Sequence, residues 1–115
     1  MMKRGFIYYA DLSPVVGCEE GGLRPVVIVS NDLNNKYSPI VSVVPITSRL
    51  GKEWLPTHIL LSSSSSEFAK DLKIRVEQIR TIDKKRLKEC MGSLDKETME
   101  KVDVAIKIHL GLDQP

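Results

Sequence analysis

The heptapeptide "RPVVIVS", residues 24–30, places four consecutive β-branched residues behind an arginine and a proline. β-Branched side chains crowd a helix but fit a pleated sheet. Pro25, with no amide hydrogen, is tolerable only where such a strand begins. Working outward, "RGFIYYADL" (4–12) is rich in β-formers and apolar at both parities, the pattern of a strand covered on two sides. Between them lies "SPVVGCEEGG" (13–22), a loop longer than the usual connection, and long loops in compact domains are often functional. Downstream, "NDLNNKYSP" (31–39) reads as polar and turn-like. "IVSVVPITS" (40–48) reads as a third strand in which Pro45 predicts an edge or a bulge.

The rest of the chain keeps the strand-loop rhythm. "RLGKEW" (49–54) is a basic loop with an exposed-looking tryptophan, and "PTHILL" (56–61) a fourth strand. "SSSSS" (62–66) suits the N-terminal cap of a short helix over "EFAKDL", because serine oxygens satisfy the free amides of a first turn. "KIRVEQI" (73–79) alternates, with Ile74 and Val76 on a buried face and Lys73, Arg75 and Glu77 on a solvated one. Asp83 is placed to cap a short basic helix, "KKRLKEC". In "SLDKETMEKVDVAIKIHLGL", Met99, Val102, Ile106 and Leu110 recur at three- and four-residue steps, one face of a helix. Asp95 is its expected N-cap, Leu94 and Met99 take the hydrophobic-staple positions, and Gly111 stops it. The expected architecture is mainly β with appended helices: a small barrel or strongly bent sheet closed by an amphipathic C-terminal helix.

Size and composition bound the function. A chain of 115 residues with 42% hydrophobic content is expected to form one domain, residues 1–115, with a real core. A net charge of +2 excludes a polycationic sheath, so a nucleic-acid ligand requires a local basic patch. No apolar run approaches a membrane span, and no apolar segment follows the basic residues after Met1 and Met2. The expected setting is therefore cytoplasmic, with Cys18 and Cys90 as reduced thiols. The sequence has no GxxxxGK phosphate cradle, no HExxH and no histidine cluster, so neither a metal nor any other cofactor is expected. His58 and His109 are expected to be structural.

What remains for chemistry is arginine and hydroxyl groups at strand ends. Arg24 follows Gly21 and Gly22, which lack Cβ atoms and permit close backbone approach to a ligand. A guanidinium there is able to clamp a phosphate through its planar fork. Thr47 and Ser48 end another strand and offer hydroxyls to a phosphate oxygen. The simpler account on composition alone is that Arg24 pairs with Glu19 or Glu20 in a solvated loop while Thr47 and Ser48 cap a turn. One reaction nevertheless suits so sparse a set. RNA carries its own nucleophile, the 2′-hydroxyl, so cleavage by transesterification needs alignment, proton transfer and charge stabilisation but no metal.

"RGFIYYADLSPVVGCEEGGLRPVVIVSND", "VPITS", "LPTH" and "VEQIRTID", in this order and along nearly the whole chain, resemble the MazF/PemK family of toxin–antitoxin endoribonucleases, most closely the MazF-type toxins of Gram-positive bacteria. The resemblance implies an SH3-like β-barrel with a C-terminal helix, assembled as a homodimer. It implies metal-independent, sequence-specific cleavage of single-stranded mRNA, leaving 2′,3′-cyclic phosphate and 5′-hydroxyl ends. It implies also a cognate antitoxin partner whose extended tail occupies the RNA groove. Carried over by position, the catalytic arginine is Arg24 in "GLRP" and the catalytic threonine Thr47 in "PITS". RNA contacts fall on Glu19 and Glu20 of "GCEE", on the loop from Ser48, and on Gln78 of "VEQIR". Two competing readings share the fold class: a CcdB-like toxin that poisons gyrase by protein binding, and a noncatalytic SH3-like binding module. Three departures from the family pattern stand out. Phe6 replaces a common acidic residue, and "GCEE" replaces "GSEQ", which puts a phosphate-repelling carboxylate at Glu20. The segment "SSSSSEFAKDLKIR" replaces a glycine-containing loop and a "DSV"-like strand entry.

Overall fold

The computed structural model of the chain describes residues 2–64 and 68–112. Seven strands form a single antiparallel sheet: β1 (Phe6–Asp11), β2 (Leu23–Ile28), β3 (Ile40–Thr47), β4 (His58–Leu61), β5 (Leu72–Arg75), β6 (Arg80–Asp83) and β7 (Leu87–Ser93). Two α-helices, α1 (Asp32–Tyr37) and α2 (Lys96–His109), complete the fold with two single 3₁₀ turns. The strand order is β4-β5-β3-β2-β1-β7, with β6 also pairing β3, so the sheet curls without closing.

β3 creates the curl. On one edge it pairs with β2, Val26 opposite Pro45. On the other edge its first half, Ile40–Val43, pairs with β6, and its end, Ile46–Thr47, pairs with β5. Pro45 is fully buried between those two pairings, where a residue with no amide hydrogen leaves no ladder bond unmade. The irregularity expected at Pro45 is thus a change of partner rather than an exposed edge. The "VVIV" run is covered on both faces. Val27 and Val29 enter a core shared with Ile46, Ile59, Ile74, Val76, Val102 and Ala105, while Val26 and Ile28 enter a second with Ala10, Leu12, Val41, Val43 and Ile82.

Helix α2 closes the first core with Val102 and Ala105, and Met99, Ile106 and Leu94 pack against it. Asp95 caps it as expected, its carboxylate accepting from the Thr98 amide at 2.7 Å. At the other end Gly111, at φ +74°, allows the Gly111 and Leu112 amides to donate back to the Ile108 and Lys107 carbonyls. Leu110, counted with the apolar face, is the C-cap and is exposed.

Several local expectations are corrected. "DLNNKY", expected as a turn, is helix α1, because the Asn31 side chain caps it by accepting from the Asn34 amide and the buried Asn35 bonds Ser30. "KIRVEQI" is not one strand: β5 ends at Arg75 and Val76–Gln78 form a 3₁₀ turn before β6. Asp83 does cap a turn at Lys84–Arg86, but the chain then extends into β7 along β1. The helix expected over "EFAKDL" is absent from its described part, where residues 68–70 bend and Leu72 enters β5. Ser65, Ser66 and Glu67 lie outside the described residues.

Candidate active site

Arg24 leaves β2 next to the loop of residues 12–22. Continuing the Val26–Pro45 register by two residues sets Arg24 across from Thr47, the last residue of β3. The two predicted catalytic residues therefore share one end of one strand pair. Thr47 is buried at 3% exposure, and its hydroxyl oxygen accepts from the Arg49 amide at 3.1 Å. That bond orients the backbone at the strand end. Ser48, the next residue, is exposed.

The loop is built around its glycines, though not for the reason expected. A Cβ on Gly21 would meet the Val15 side chain at 2.7 Å, so the space at Gly21 is filled by the loop itself rather than kept for a ligand. Gly22, at φ +76°, provides the left-handed turn into β2. Arg24 Nε then donates to the Gly21 carbonyl at 2.7 Å, which fixes the guanidinium against the loop. Glu19 stays on the surface and accepts from the Val16 amide, serving the loop's own turn. Gln78 reaches in from the 3₁₀ turn: its carbonyl oxygen accepts from the Glu20 amide at 3.2 Å, and its amide nitrogen donates to the Cys18 carbonyl at 3.3 Å. Gln78 thus fastens the loop to the sheet.

Glu20 does not merely repel. One carboxylate oxygen lies 3.2 Å from Arg24 Nη1 and the other 2.7 Å from Arg75 Nη1. The pairing of Arg24 with a loop glutamate, the simpler sequence account, is present, and a second guanidinium joins it. Arg75 Nε in turn donates to Glu77 at 3.2 Å. Glu77 also accepts from Thr57 Oγ1 at 3.1 Å and from His58 Nε2 at 2.8 Å. The Leu55 amide donates to His58 Nδ1 at 3.1 Å, so Nδ1 carries the lone pair and Nε2 the proton. Both ring nitrogens are engaged, which makes His58 a structural residue and removes it as a free general base. Burial pushes the Glu77 carboxyl up, but hydrogen bonds from His58, its own backbone and Thr57 hold it below its ordinary value. For Arg75, burial opposes the charge, yet the bonds and charges of Glu20 and Glu77 outweigh it and keep the guanidinium protonated.

Beside this chain of ion pairs runs an open groove of about 440 Å³. Arg49, Lys52, Lys73 and Arg75 supply its cations, with Glu19, Glu20 and Glu53 on its walls. Lys73, placed on the solvated face by the alternation of "KIRVEQI", is 5% exposed, donates to the Glu53 carbonyl at 2.9 Å and lies 4.4 Å from the centre of the Trp54 ring. Arg75, expected on the same solvated face, is half-buried with its side chain 30% exposed. The missed signal is that Lys73, Arg75 and Glu77 share one parity with basic and acidic partners. Lys73 and Arg75 of that parity line the groove, on β5 beside the end of β3. Among the described residues no group of three or more His, Cys, Asp or Glu side chains is placed to hold a metal ion. No helix among them is long and apolar enough to cross a membrane.

The chain and its fold are similar to known proteins. Residues 3–110 match the model of the PemK-like, MazF-like toxin of type II toxin–antitoxin systems. The chain is 54% identical over 112 residues to the endoribonuclease MazF of Staphylococcus saprophyticus, covering 97% of this chain and 93% of that one. A mycobacterial endoribonuclease solved in complex with its cognate antitoxin superposes with a TM-score of 0.81 at 26% identity, both chains covered in full. MazF from Deinococcus radiodurans superposes with a TM-score of 0.82 at 21% identity over 96% of each chain, a likeness of fold. With a family match across almost its whole length and a relative identical at more than half its positions, the chain belongs to the PemK-like, MazF-like family of type II toxin–antitoxin toxins.

Proposed function

We propose that this protein is the toxin of a type II toxin–antitoxin pair, acting in the cytoplasm as a homodimer of single-domain chains. It cleaves single-stranded mRNA at a short recognition sequence, without a metal or other cofactor, until its cognate antitoxin covers the groove. The observation that carries this reading is Arg24, fixed to the Gly21 carbonyl in register with Thr47 and paired with Glu20, a residue of the cation-lined groove wall. Arg24 stabilises the charge that builds on phosphorus as the 2′-oxygen attacks. Thr47 holds the Arg49 backbone in place at the same strand end. As the 2′-oxygen bonds to phosphorus its proton passes to water; the bond from phosphorus to the 5′-oxygen breaks, that oxygen takes a proton from water, and a 2′,3′-cyclic phosphate is left. His58 has no free nitrogen for the 2′-hydroxyl proton, so this step runs without an imidazole base. Glu19, Glu20, Ser48 and Gln78 lie on or support the RNA-facing loops. Neither the gyrase-binding reading nor a noncatalytic module is favoured by an observation among the described residues.

The test is incubation with a long unstructured RNA in excess chelator, with end mapping, beside Arg24→Ala. Cleavage is expected to survive chelation and to fall about 10²–10³-fold in the variant, the usual loss when one transition-state donor is removed. No cleavage by the wild type, loss of cleavage with chelator, or equal cutting by Arg24→Ala overturns the proposal.

A further inference from the structure

Arg75 touches the same carboxylate as Arg24, and that carboxylate replaces the glutamine usual at its position. Glu20 and Arg75 both fall within the stretches where this chain departs from its family, "GCEE" and "SSSSSEFAKDLKIR". In the fold, 55 positions apart, they meet at 2.7 Å. A glutamate in that position beside an anionic substrate is unfavourable by itself. Held between Arg24 and Arg75, its charge is compensated.

Resting on the endoribonuclease reading, we propose that Arg75 is a second RNA-phosphate-binding cation of this site. Glu20 is the site's resident counter-anion, which an RNA phosphate displaces. Three features of the geometry support the exchange. Glu20 spans Arg24 and Arg75 with one oxygen on each, the geometry with which two guanidinium groups grip a phosphate. Neither arginine is used up: Arg24 spends Nε and Nη1, Arg75 spends Nε and Nη1, and among the described residues the Nη2 amine of each has no protein partner. Their side chains are 24% and 30% exposed, and Arg75 lines the groove together with Glu20. Glu20 is carried by a loop rather than a strand, whereas Arg24 lies on β2 and Arg75 ends β5. The exchange then needs only the Glu20 side chain to rotate away, on a backbone that Gln78 holds, while the two cations stay in place. The tethered anion competes with RNA for both guanidiniums, so apparent affinity is lowered by the fraction of molecules in which the clamp is self-occupied.

The experiment measures binding of an unstructured 2′-O-methyl RNA oligonucleotide, which lacks the nucleophile, by anisotropy across a salt series. It compares the wild type, Glu20→Gln, Arg75→Ala and the double variant, alongside cleavage of ordinary RNA by the wild type. Glu20→Gln is expected to tighten binding on the order of tenfold and to steepen the salt dependence, since about 0.7 of a counterion is released per phosphate contact on single strands. Adding Arg75→Ala to Glu20→Gln is expected to reverse that gain and remove about one contact from the slope. If the double variant binds as tightly as Glu20→Gln, Arg75 is only a neutraliser of Glu20 and the proposal fails. It fails also if Glu20→Gln binds no more tightly than the wild type. These failures differ from failure of the parent reading, in which wild-type protein neither cuts RNA nor binds the oligonucleotide. Arg75→Lys guards against misfolding: it keeps a cation without the fork, and its slope is expected to match the wild type while its affinity falls severalfold.

Discussion

At the scale of single residues, Glu77 does more than its acidity suggests. From the 3₁₀ turn it accepts from Thr57, from His58 at the start of β4 and from Arg75 at the end of β5, joining two strands and a turn through two oxygens. Its carboxyl titrates below the ordinary value of 4.5 in the folded protein. The folded state therefore binds this proton less readily than the unfolded chain does. The stabilisation is complete above pH 4.5 and is lost as pH falls through the lower folded value. Urea unfolding midpoints measured between pH 6 and pH 3 are expected to fall more steeply for the wild type than for Glu77→Gln. Equal slopes would mean that the carboxylate is not held by its partners. The same residues explain what the sequence concealed. Arg24, Thr47, Glu20 and Gln78 are legible because they sit in recognisable motifs at strand ends. Arg75 and Lys73 are not, because alternation assigns a parity to one face but cannot say whether that face meets water or another part of the chain.

At the scale of elements, legibility follows how strongly local chemistry and burial agree. β2 and α2 are plain in the sequence, since the first is β-branched throughout and the second carries its cap, staple and stop. α1 is concealed because its apolar pair, Leu33 and Tyr37, is exposed rather than packed on a core, and its stability comes from Asn31, Asn35 and Ser30 side chains. β7 is concealed for the opposite reason: "LKECMGS" is rich in helix formers and mostly exposed, and it is a strand because β1 offers it a ladder. The stop of α2 yields a direct prediction. A Cβ at Gly111 would meet nothing within 4 Å, so any cost of Gly111→Ala is conformational. At φ +74° that cost is about 1 kcal/mol, read as a lower urea midpoint with an unchanged m-value. An unchanged midpoint would show that the helix ends elsewhere in solution.

For the molecule as a whole, Arg4 ties distant parts together. Its amide donates to Asp32 in α1 at 2.7 Å, its Nε to the Val29 carbonyl at 2.8 Å, and its Nη2 to Asp103 of α2 at 2.5 Å. Arg4→Ala keeps the backbone bond but releases α2 from the sheet on that side. The ion pair is more than a third exposed on one partner, so the expected loss is modest, about 1 kcal/mol. Hydrogen exchange is expected to quicken across residues 96–109 more than in β2 and β3. Uniform quickening would place Arg4 in global stability rather than in helix docking.

The loop of residues 12–22 is fixed differently from the sheet it serves. One backbone bond, Leu12 to Gly22, closes it, and polar side chains, Gln78 and Arg75 foremost, hold its far part in place. The hydrophobic cores take from this loop only Leu12, its first residue. Selection acting on this toxin therefore finds two unequal substrates. Changes in the strands tax the fold, while exchanges such as glutamine for glutamate, answered by one arginine on a neighbouring strand, rewrite the wall facing the RNA at little structural cost. Such a division lets a lineage diversify which transcripts it destroys, and escape or keep a given antitoxin, without first becoming more stable.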